Sequence, residues 1–276
     1  MMLGKISILL VVLTGAALGQ AQGTPEDDPF VARKAELEQR FQQAYARILA
    51  EQTEPLATTA EEVIERCLEA TGGREAWAAV RTMVKTVDGH EMAGGFGGKF
   101  YLKAPNFIHL EQGPERAFVT DGVSAWMVEG DEWEPVISDN PAGQRWRQMF
   151  SISLDLIDFA AKNVTYEFIG TEAIEGSACY KLRKDIGTGK EIYVYFNIET
   201  GLLMMEEEFG DDGWMAFLLF DYREISGVRL PHLRVRVADL IKTAHVGVLS
   251  YVINEPLDES LFDSPGSAER RTNGRG

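Results

Sequence analysis

A period-two alternation of apolar and polar residues runs through most of the chain after Val80, in short segments separated by turn residues. Because successive side chains of a strand point to opposite faces of a sheet, this pattern predicts antiparallel strands. So many strands accumulate twist and cannot stay flat, which favours a barrel or half-barrel. The predicted strands are Lys85 to Glu91, Lys99 to Leu102, Ile108 to Gln112, Phe118 to Thr120, Ser124 to Glu129, Val164 to Gly170, Cys179 to Lys184, Glu191 to Phe196, Leu202 to Phe209, Trp214 to Tyr222, Val228 to Ala238 and Lys242 to Tyr251.

Three segments carry a helical period instead. An amphipathic helix is predicted from Asp28 to Glu51, and a second follows the capping-box sequence Thr59 to Glu62 and ends at Gly72. A third helix, opened by Asn140 and Pro141, interrupts the strands; its apolar stripe is Trp146, Met149, Phe150, Leu154, Ile157 and Ala161. The predicted fold class is α+β, and an apolar stripe laid across a curled sheet leaves either a filled core or a pocket.

The first 23 residues predict a secretory signal peptide, because Lys5 precedes an apolar run from Ile6 to Leu13 and small residues follow. A membrane-spanning helix would need about 20 apolar residues, so we expect an exported protein, periplasmic or secreted, that does not span the membrane. We delimit residues 24–57 as an amphipathic helix and linker, 58–264 as the sheet domain and 265–276 as a disordered tail.

The cysteines leave two arrangements open. In an exported protein Cys67 and Cys179 could form a disulfide, and the alternative is two separately buried thiols.

The charge and the spacing of polar residues exclude several function classes. With 27 Lys and Arg against 43 Asp and Glu, the net charge is −16, which disfavours binding to nucleic acid. The four histidines show no metal-ligand spacing, and no serine lies in a nucleophile-elbow sequence. We therefore expect no metal ion, no cofactor and no enzymatic activity.

Several short motifs, in this order, resemble the LolA/LolB-like superfamily of periplasmic proteins, in particular the outer-membrane lipoprotein-sorting-like group. They are Ala70-Thr71-Gly72-Gly73, Thr120-Asp121-Gly122 with Ala125-Trp126, Gly170 to Gly176 before Tyr180-Lys181-Leu182, Thr200-Gly201-Leu202, Asp221-Tyr222-Arg223 with Leu230-Pro231-His232, and Asn254 to Asp258. The resemblance implies an unclosed antiparallel half-barrel whose concave apolar face, covered by helices, takes up acyl chains. It departs from the family where His109 replaces the arginine that helps to hold the lid, and an imidazole cannot make the same multidentate hydrogen bonds.

The resemblance and the excess of large apolar residues predict a carrier or binding protein for a lipid or lipoprotein acyl chain. The alternative is a non-catalytic envelope sensor or adaptor that binds a protein partner. The residues expected to line the pocket are Trp126, Phe150, Leu154, Ile157, Tyr193, Tyr195, Met204, Phe217 and Leu219.

Overall fold

The structure is a computed structural model that describes residues 39, 43, 46, 47, 56–89, 98–111, 115–121, 124–136, 152, 156, 157, 159, 164–187, 189–210, 213–238 and 243–263. The predicted signal peptide, the predicted tail and most of the first predicted helix lie outside the described residues. The described positions of that helix, Gln39, Gln43, Ala46 and Arg47, are helical and exposed.

Thirteen strands form one antiparallel sheet in the order β6-β5-β4-β3-β2-β1-β13-β12-β11-β10-β9-β8-β7. The strands are β1 (Thr82–Gly89), β2 (Gly98–Lys103), β3 (Phe107–Glu111), β4 (Arg116–Asp121), β5 (Ala125–Glu129), β6 (Glu132–Val136), β7 (Thr165–Ile174), β8 (Ser177–Asp185), β9 (Glu191–Asn197), β10 (Leu203–Gly210), β11 (Gly213–Ile225), β12 (Val228–Ala238) and β13 (Thr243–Ile253). Two meanders, β1 to β6 and β7 to β13, meet where β1 pairs with β13. Within the described residues no pairing joins β6 to β7, so the sheet is unclosed and the predicted fold class is confirmed.

The alternating pattern identified every strand except β6. In β6, Pro135 and two glutamates hide the alternation, and all but the last residue are exposed. Proline is tolerated there because β6 lies at the edge of the sheet, where one side of the strand needs no hydrogen-bond partner.

Two short helices precede the sheet: α1 (Ala60–Ala70) and α2 (Gly73–Ala78). The predicted capping box is present, since the Thr59 hydroxyl accepts a hydrogen bond from the Glu62 amide while the Glu62 carboxylate accepts one from the Thr59 amide. Gly72 separates the helices with a φ of 118°, and a Cβ atom on it would lie 2.1 Å from the Gly227 carbonyl oxygen. This close approach joins the helices to the β11–β12 turn. No helix among the residues described here is long and apolar enough to cross a membrane.

The sheet buries apolar residues on both of its faces. On the helix face, Val63, Ile64 and Leu68 of α1 pack in one cluster with strand residues such as Phe196 and Leu230. On the opposite face, the second face, a separate cluster contains Ile174, Cys179, Tyr195, Met205, Ala216, Leu218, Val235 and Val237. A side chain's face follows from these clusters and the register, because residues two apart on a strand share a face.

The predicted helix from Asn140 to Ala161 is described at four positions, and none of them is helical. Ile152, Leu156, Ile157 and Phe159 lie in turns, bends or irregular backbone, which corrects the helical prediction at these positions. The sequence explains the difference, because Ser and Asp recur through residues 151–158 and their side chains compete for backbone hydrogen bonds. The segment is nevertheless apolar where it meets the sheet, since all four side chains belong to or pack against the helix-face cluster.

The two cysteines are free and buried. Cys67 belongs to the helix-face cluster and Cys179 to the second-face cluster, so the sheet lies between them. Of the two arrangements left open by the sequence, the structure has separately buried thiols.

Candidate functional site

The helix face is apolar from the two helices across the middle strands of the sheet. Around its buried centre lies a border of partly buried apolar side chains: Met127, Val136, Ile152, Ile157, Phe159, Tyr166, Phe168, Leu219, Tyr251 and Ile253. The border includes residues from both meanders and from the segment between them. The side chains of this border are partly buried and keep some contact with solvent.

Charged residues occupy one region of this otherwise apolar face. Glu206 and Glu208 alternate with residues of the second-face cluster, so their side chains lie on the helix face. The Lys184 ammonium lies 3.5 Å from the Glu206 carboxylate, and the Lys190 ammonium lies 2.7 Å from that of Glu208. These two lysines are therefore neutralised by partners.

Lys85 and Arg234 lie on the same face without such partners. Lys85 stands between Met83 and Val87 of the helix-face cluster, and it pairs across the sheet with Phe100 on one side. Leu230, His232 and Arg234 alternate along β12, so Arg234 shares the face of Leu230, a member of the helix-face cluster. Its register partner on β11, Leu219, also packs against that cluster. Among the described residues, no carboxylate oxygen lies within 4.0 Å of either cation. We call these two residues the cationic pair.

The two cations of the pair each lie over an aromatic ring. The Lys85 ammonium lies 5.3 Å from the centre of the Phe100 ring, and the Arg234 guanidinium lies 5.0 Å from that of Phe217. Tyr251, the register partner of Lys85 on β13, donates its hydroxyl hydrogen to the Pro231 carbonyl oxygen at 2.8 Å. Ring faces attract cations but supply only part of the stabilisation that a carboxylate gives.

Burial shifts the proton affinities of this region. Burial, and to a smaller extent the positive charge of Arg234, lowers the pKa of Lys85 to about 7. Burial also lowers the pKa of Arg234, although Tyr251 acts against this shift. Arg236 is a third cation on this face, with its Nε 3.1 Å from the Met215 sulfur. The positive charges of Lys85 and Arg234 therefore lie on one face of an acidic protein.

The second face contains a polar network of a different kind. The Glu207 carboxylate accepts hydrogen bonds from the Tyr195 hydroxyl and, at 3.1 Å, from the Trp214 indole. The Lys181 ammonium lies 2.9 Å from the Glu172 carboxylate and 3.9 Å from that of Glu207. Every charge here has an opposite charge or a hydrogen-bond donor within reach, which is typical of a structural network.

The network also changes two proton affinities. Burial raises the pKa of Glu172, against the opposing effect of Lys181. Burial, followed by the hydrogen bond to Glu207, raises the pKa of the Tyr195 hydroxyl. Tyr195 therefore stays a neutral hydrogen-bond donor, a role that stabilises the sheet and requires no ligand.

The structure divides the predicted lining residues between the two faces. Phe217 and Leu219 lie on the helix face, and Ile157 packs against its cluster. Tyr193, Tyr195 and Met204 pack in or against the second-face cluster. Trp126 lies between Ala125 and Met127, which are on the helix face, so its side chain is on the second face. Phe150 and Leu154 lie outside the described residues. The nine residues therefore do not form one cluster.

The sequence analysis missed the cationic pair. A signal was present, since Lys85 occupies an apolar position of its strand, between Met83 and Val87. Arg234 could not be associated with it, because the two residues lie on strands far apart in the chain. Only the β1–β13–β12 pairing brings them to one region.

His109 connects β3 to the C-terminal segment. Its Nδ1 lies 2.8 Å from the carbonyl oxygen of Leu261, in a short 3-10 helix from Glu259 to Phe262. The buried Phe262 ring contacts Phe107, with 5.7 Å between ring centres. His109 and Phe107 therefore hold the C-terminal segment against the second face of β3.

The described part of the chain contains no group of three or more His, Cys, Asp or Glu side chains that could hold a metal ion. The chemistry that its charged residues offer is ionic and hydrogen-bonding. A cationic pair beside an apolar surface can bind an anion joined to an apolar group.

Comparisons with known proteins support the fold. No protein-family model matches the chain, and no curated protein matches it. A DUF1329 family protein from Desulfovibrio piger is similar in structure, with a TM-score of 0.50 at 10% identity, covering 76% of this chain and 99% of that one.

Two further solved structures are similar at lower scores. A LolA superfamily protein from Nitrosomonas europaea has a TM-score of 0.40 at 15% identity, covering 76% of this chain and 99% of its own. A protein described as an outer membrane lipoprotein-sorting domain, from Vibrio parahaemolyticus, has a TM-score of 0.48 at 14% identity, covering 74% of this chain and 95% of its own.

The expected fold is confirmed. The resemblance noted in the sequence implied an unclosed antiparallel sheet with helices on one face, and this is the observed architecture. At these identities the similarity concerns the fold alone.

Proposed function

We propose that this chain is an exported, non-enzymatic carrier or binding protein for a lipid or lipoprotein acyl chain. The observation that carries the proposal is the apolar helix face of an unclosed sheet, bordered by partly buried side chains such as Ile157, Leu219 and Tyr251. Because the sheet is unclosed, this face is accessible between its two edge strands.

The energetics of acyl binding fit this surface. Apolar area removed from water contributes about 25 cal/mol per Å², so an acyl chain that buries about 300 Å² gains roughly 7.5 kcal/mol before the entropic cost of binding. No catalytic residue is required. Of the residues predicted from sequence, Ile157, Phe217 and Leu219 are the ones we retain as lining residues.

The direct test is to look for cargo. The full chain is expressed with its own N-terminal segment, and the exported protein is purified without detergent. Native and denaturing mass spectra are compared and the organic extract is analysed. We expect an adduct that disappears on denaturation and is recovered as lipid. A bare protein mass, repeated after incubation with membrane lipids, would contradict the proposal and favour an adaptor that binds a protein partner.

A matched pair of variants tests whether the helix face holds the cargo. Leu219→Glu places a carboxylate on the helix face of β11, and Val252→Glu places one on β13, where the native valine is 49% exposed. We expect the adduct to be lost in Leu219→Glu and kept in Val252→Glu, with both variants folded by circular dichroism. Equal retention in the two folded variants would show that the helix face does not hold the cargo.

A further inference from the structure

The cationic pair stands out from the other cations of the helix face. Lys184 and Lys190 each have a glutamate partner, whereas Lys85 and Arg234 contact aromatic rings. Burying a cation without an opposite charge costs free energy, and placing two together adds repulsion between them. A chain that needed only an apolar surface here would place apolar side chains at both positions.

Two glycines lie in the same row of the sheet as Arg234. Gly247 of β13 is the register partner of Arg234, and Gly89 of β1 is the next residue in the same row. A Cβ atom on Gly247 would lie 3.3 Å from the Val87 side chain, so a larger residue would crowd this point. Glycines in strands permit a close approach of another group to the backbone. At Gly247 that group is the Val87 side chain, which therefore packs against the backbone of the strand beside Arg234.

Apolar and aromatic side chains surround the two cations. Phe217 and Leu219 lie on the β11 side, and Phe100 and Tyr251 lie around the Lys85 ammonium. A negative charge placed here would be held in a poorly solvated environment, where attraction to two cations is strong. The same surroundings suit the first methylene groups of an acyl chain.

We propose that Lys85 and Arg234 together bind the anionic head group, a carboxylate or a phosphate, of an amphiphile whose acyl chain lies on the apolar helix face. This inference rests on the proposed function and names the class of ligand. The head group supplies the opposite charge that the two cations lack. The guanidinium donates two parallel hydrogen bonds to one oxyanion, and the ammonium provides a point charge on its other side.

The test compares amphiphiles with the same chain and different head groups. Dodecanoate, dodecyl phosphate and dodecanol are titrated into the delipidated full-length mature protein by calorimetry, with inorganic phosphate as a fourth probe. We expect one or both anionic amphiphiles to bind about ten- to a hundred-fold more tightly than dodecanol, the range for hydrogen bonds to charged groups. The tighter of the two anions identifies the head group.

Variants assign the preference to the cationic pair. In Lys85→Met and in Arg234→Gln, we expect the preference for the anionic amphiphiles over dodecanol to fall to within about three-fold. Lys99→Met is the matched control, because Lys99 lies on the neighbouring strand β2 with its exposed side chain on the second face, above the Tyr101 ring. It should keep the full preference.

Each other outcome separates this inference from the proposed function. Equal binding of dodecanol and both anions by the native protein, or a preference retained in both variants, would overturn the head-group site while leaving acyl binding intact. If inorganic phosphate binds as tightly as dodecyl phosphate, the acyl chain contributes nothing to binding. That result would contradict an amphiphilic ligand and identify a site for a free anion. No binding of any probe would overturn both proposals.

Discussion

Replacing Lys85 by methionine should stabilise the ligand-free protein. Burial lowers the pKa of this lysine from 10.5 to about 7. At about 1.36 kcal/mol per pH unit, the difference of roughly 3.5 corresponds to about 5 kcal/mol for a fully enclosed charge. The residue keeps part of its surface in contact with solvent, which screens the charge. We therefore expect a gain of about 1 to 3 kcal/mol in the free energy of unfolding at pH 7.

The lowered pKa of Lys85 determines how the stability gain of Lys85→Met changes with pH. Between pH 7 and 10.5 the folded native protein binds fewer protons at Lys85 than the unfolded chain does. The contribution of this lysine to stability therefore becomes more favourable as the pH rises through that window. The advantage of Lys85→Met should be largest at pH 7 and below, and should shrink steadily towards pH 10.

Urea unfolding of delipidated protein at pH 7, 8, 9 and 10 measures this difference. Lys99→Met, the exposed control on β2, should differ from the native protein by less than about 0.5 kcal/mol throughout. A Lys85→Met variant that is less stable than the native protein at pH 7, or whose difference does not change with pH, would refute the reasoning. Such a result would mean that the ammonium has a stabilising partner in the folded state.

Three further substitutions test the local structure, all by urea unfolding at pH 7. Thr59→Ala removes the capping hydroxyl of α1 and should cost about 1 kcal/mol; no loss would mean that water replaces the cap. Gly72→Ala should cost about 2 kcal/mol or more, because its Cβ would lie 2.1 Å from the Gly227 carbonyl oxygen, and an unchanged midpoint would contradict that approach. Glu207→Leu leaves the Tyr195 hydroxyl and the Trp214 indole without their acceptor, while Lys181 keeps Glu172, and should cost roughly 3 kcal/mol; a neutral effect would show that these two hydrogen bonds contribute nothing to stability.

The sequence was sufficient for every strand except β6, but not for the faces of the strands. The period of two identifies a strand wherever one side chain in two is apolar. In β9, however, both sets are apolar: Ile192 and Val194 lie on the helix side, while Tyr193 and Tyr195 pack against the second-face cluster. Alternation cannot say which set faces the helices. The bulge between Leu203 and Met205 then shifts the register of β10, so counting along the chain fails there as well.

The candidate site was harder to predict because its residues are joined only through strand pairing. Lys85 and Arg234 are brought together by the strand β13, which contributes Tyr251 and Gly247 between them. No local pattern contains that information. A cation at an apolar position of a strand was the available signal, and it becomes interpretable only when the surrounding residues are known.

The topology also determines when this region forms during folding. Hairpins within each meander join residues that are close in the chain, whereas the pairing of Met83 with Ile253 closes a loop of most of the chain. Closing a long loop costs more conformational entropy than closing a hairpin, and non-local contacts slow folding. The central seam of the sheet, beside which Lys85 lies, is therefore completed only after the two meanders exist. A ligand bound there contacts both meanders at once and stabilises the β1–β13 pairing that joins them.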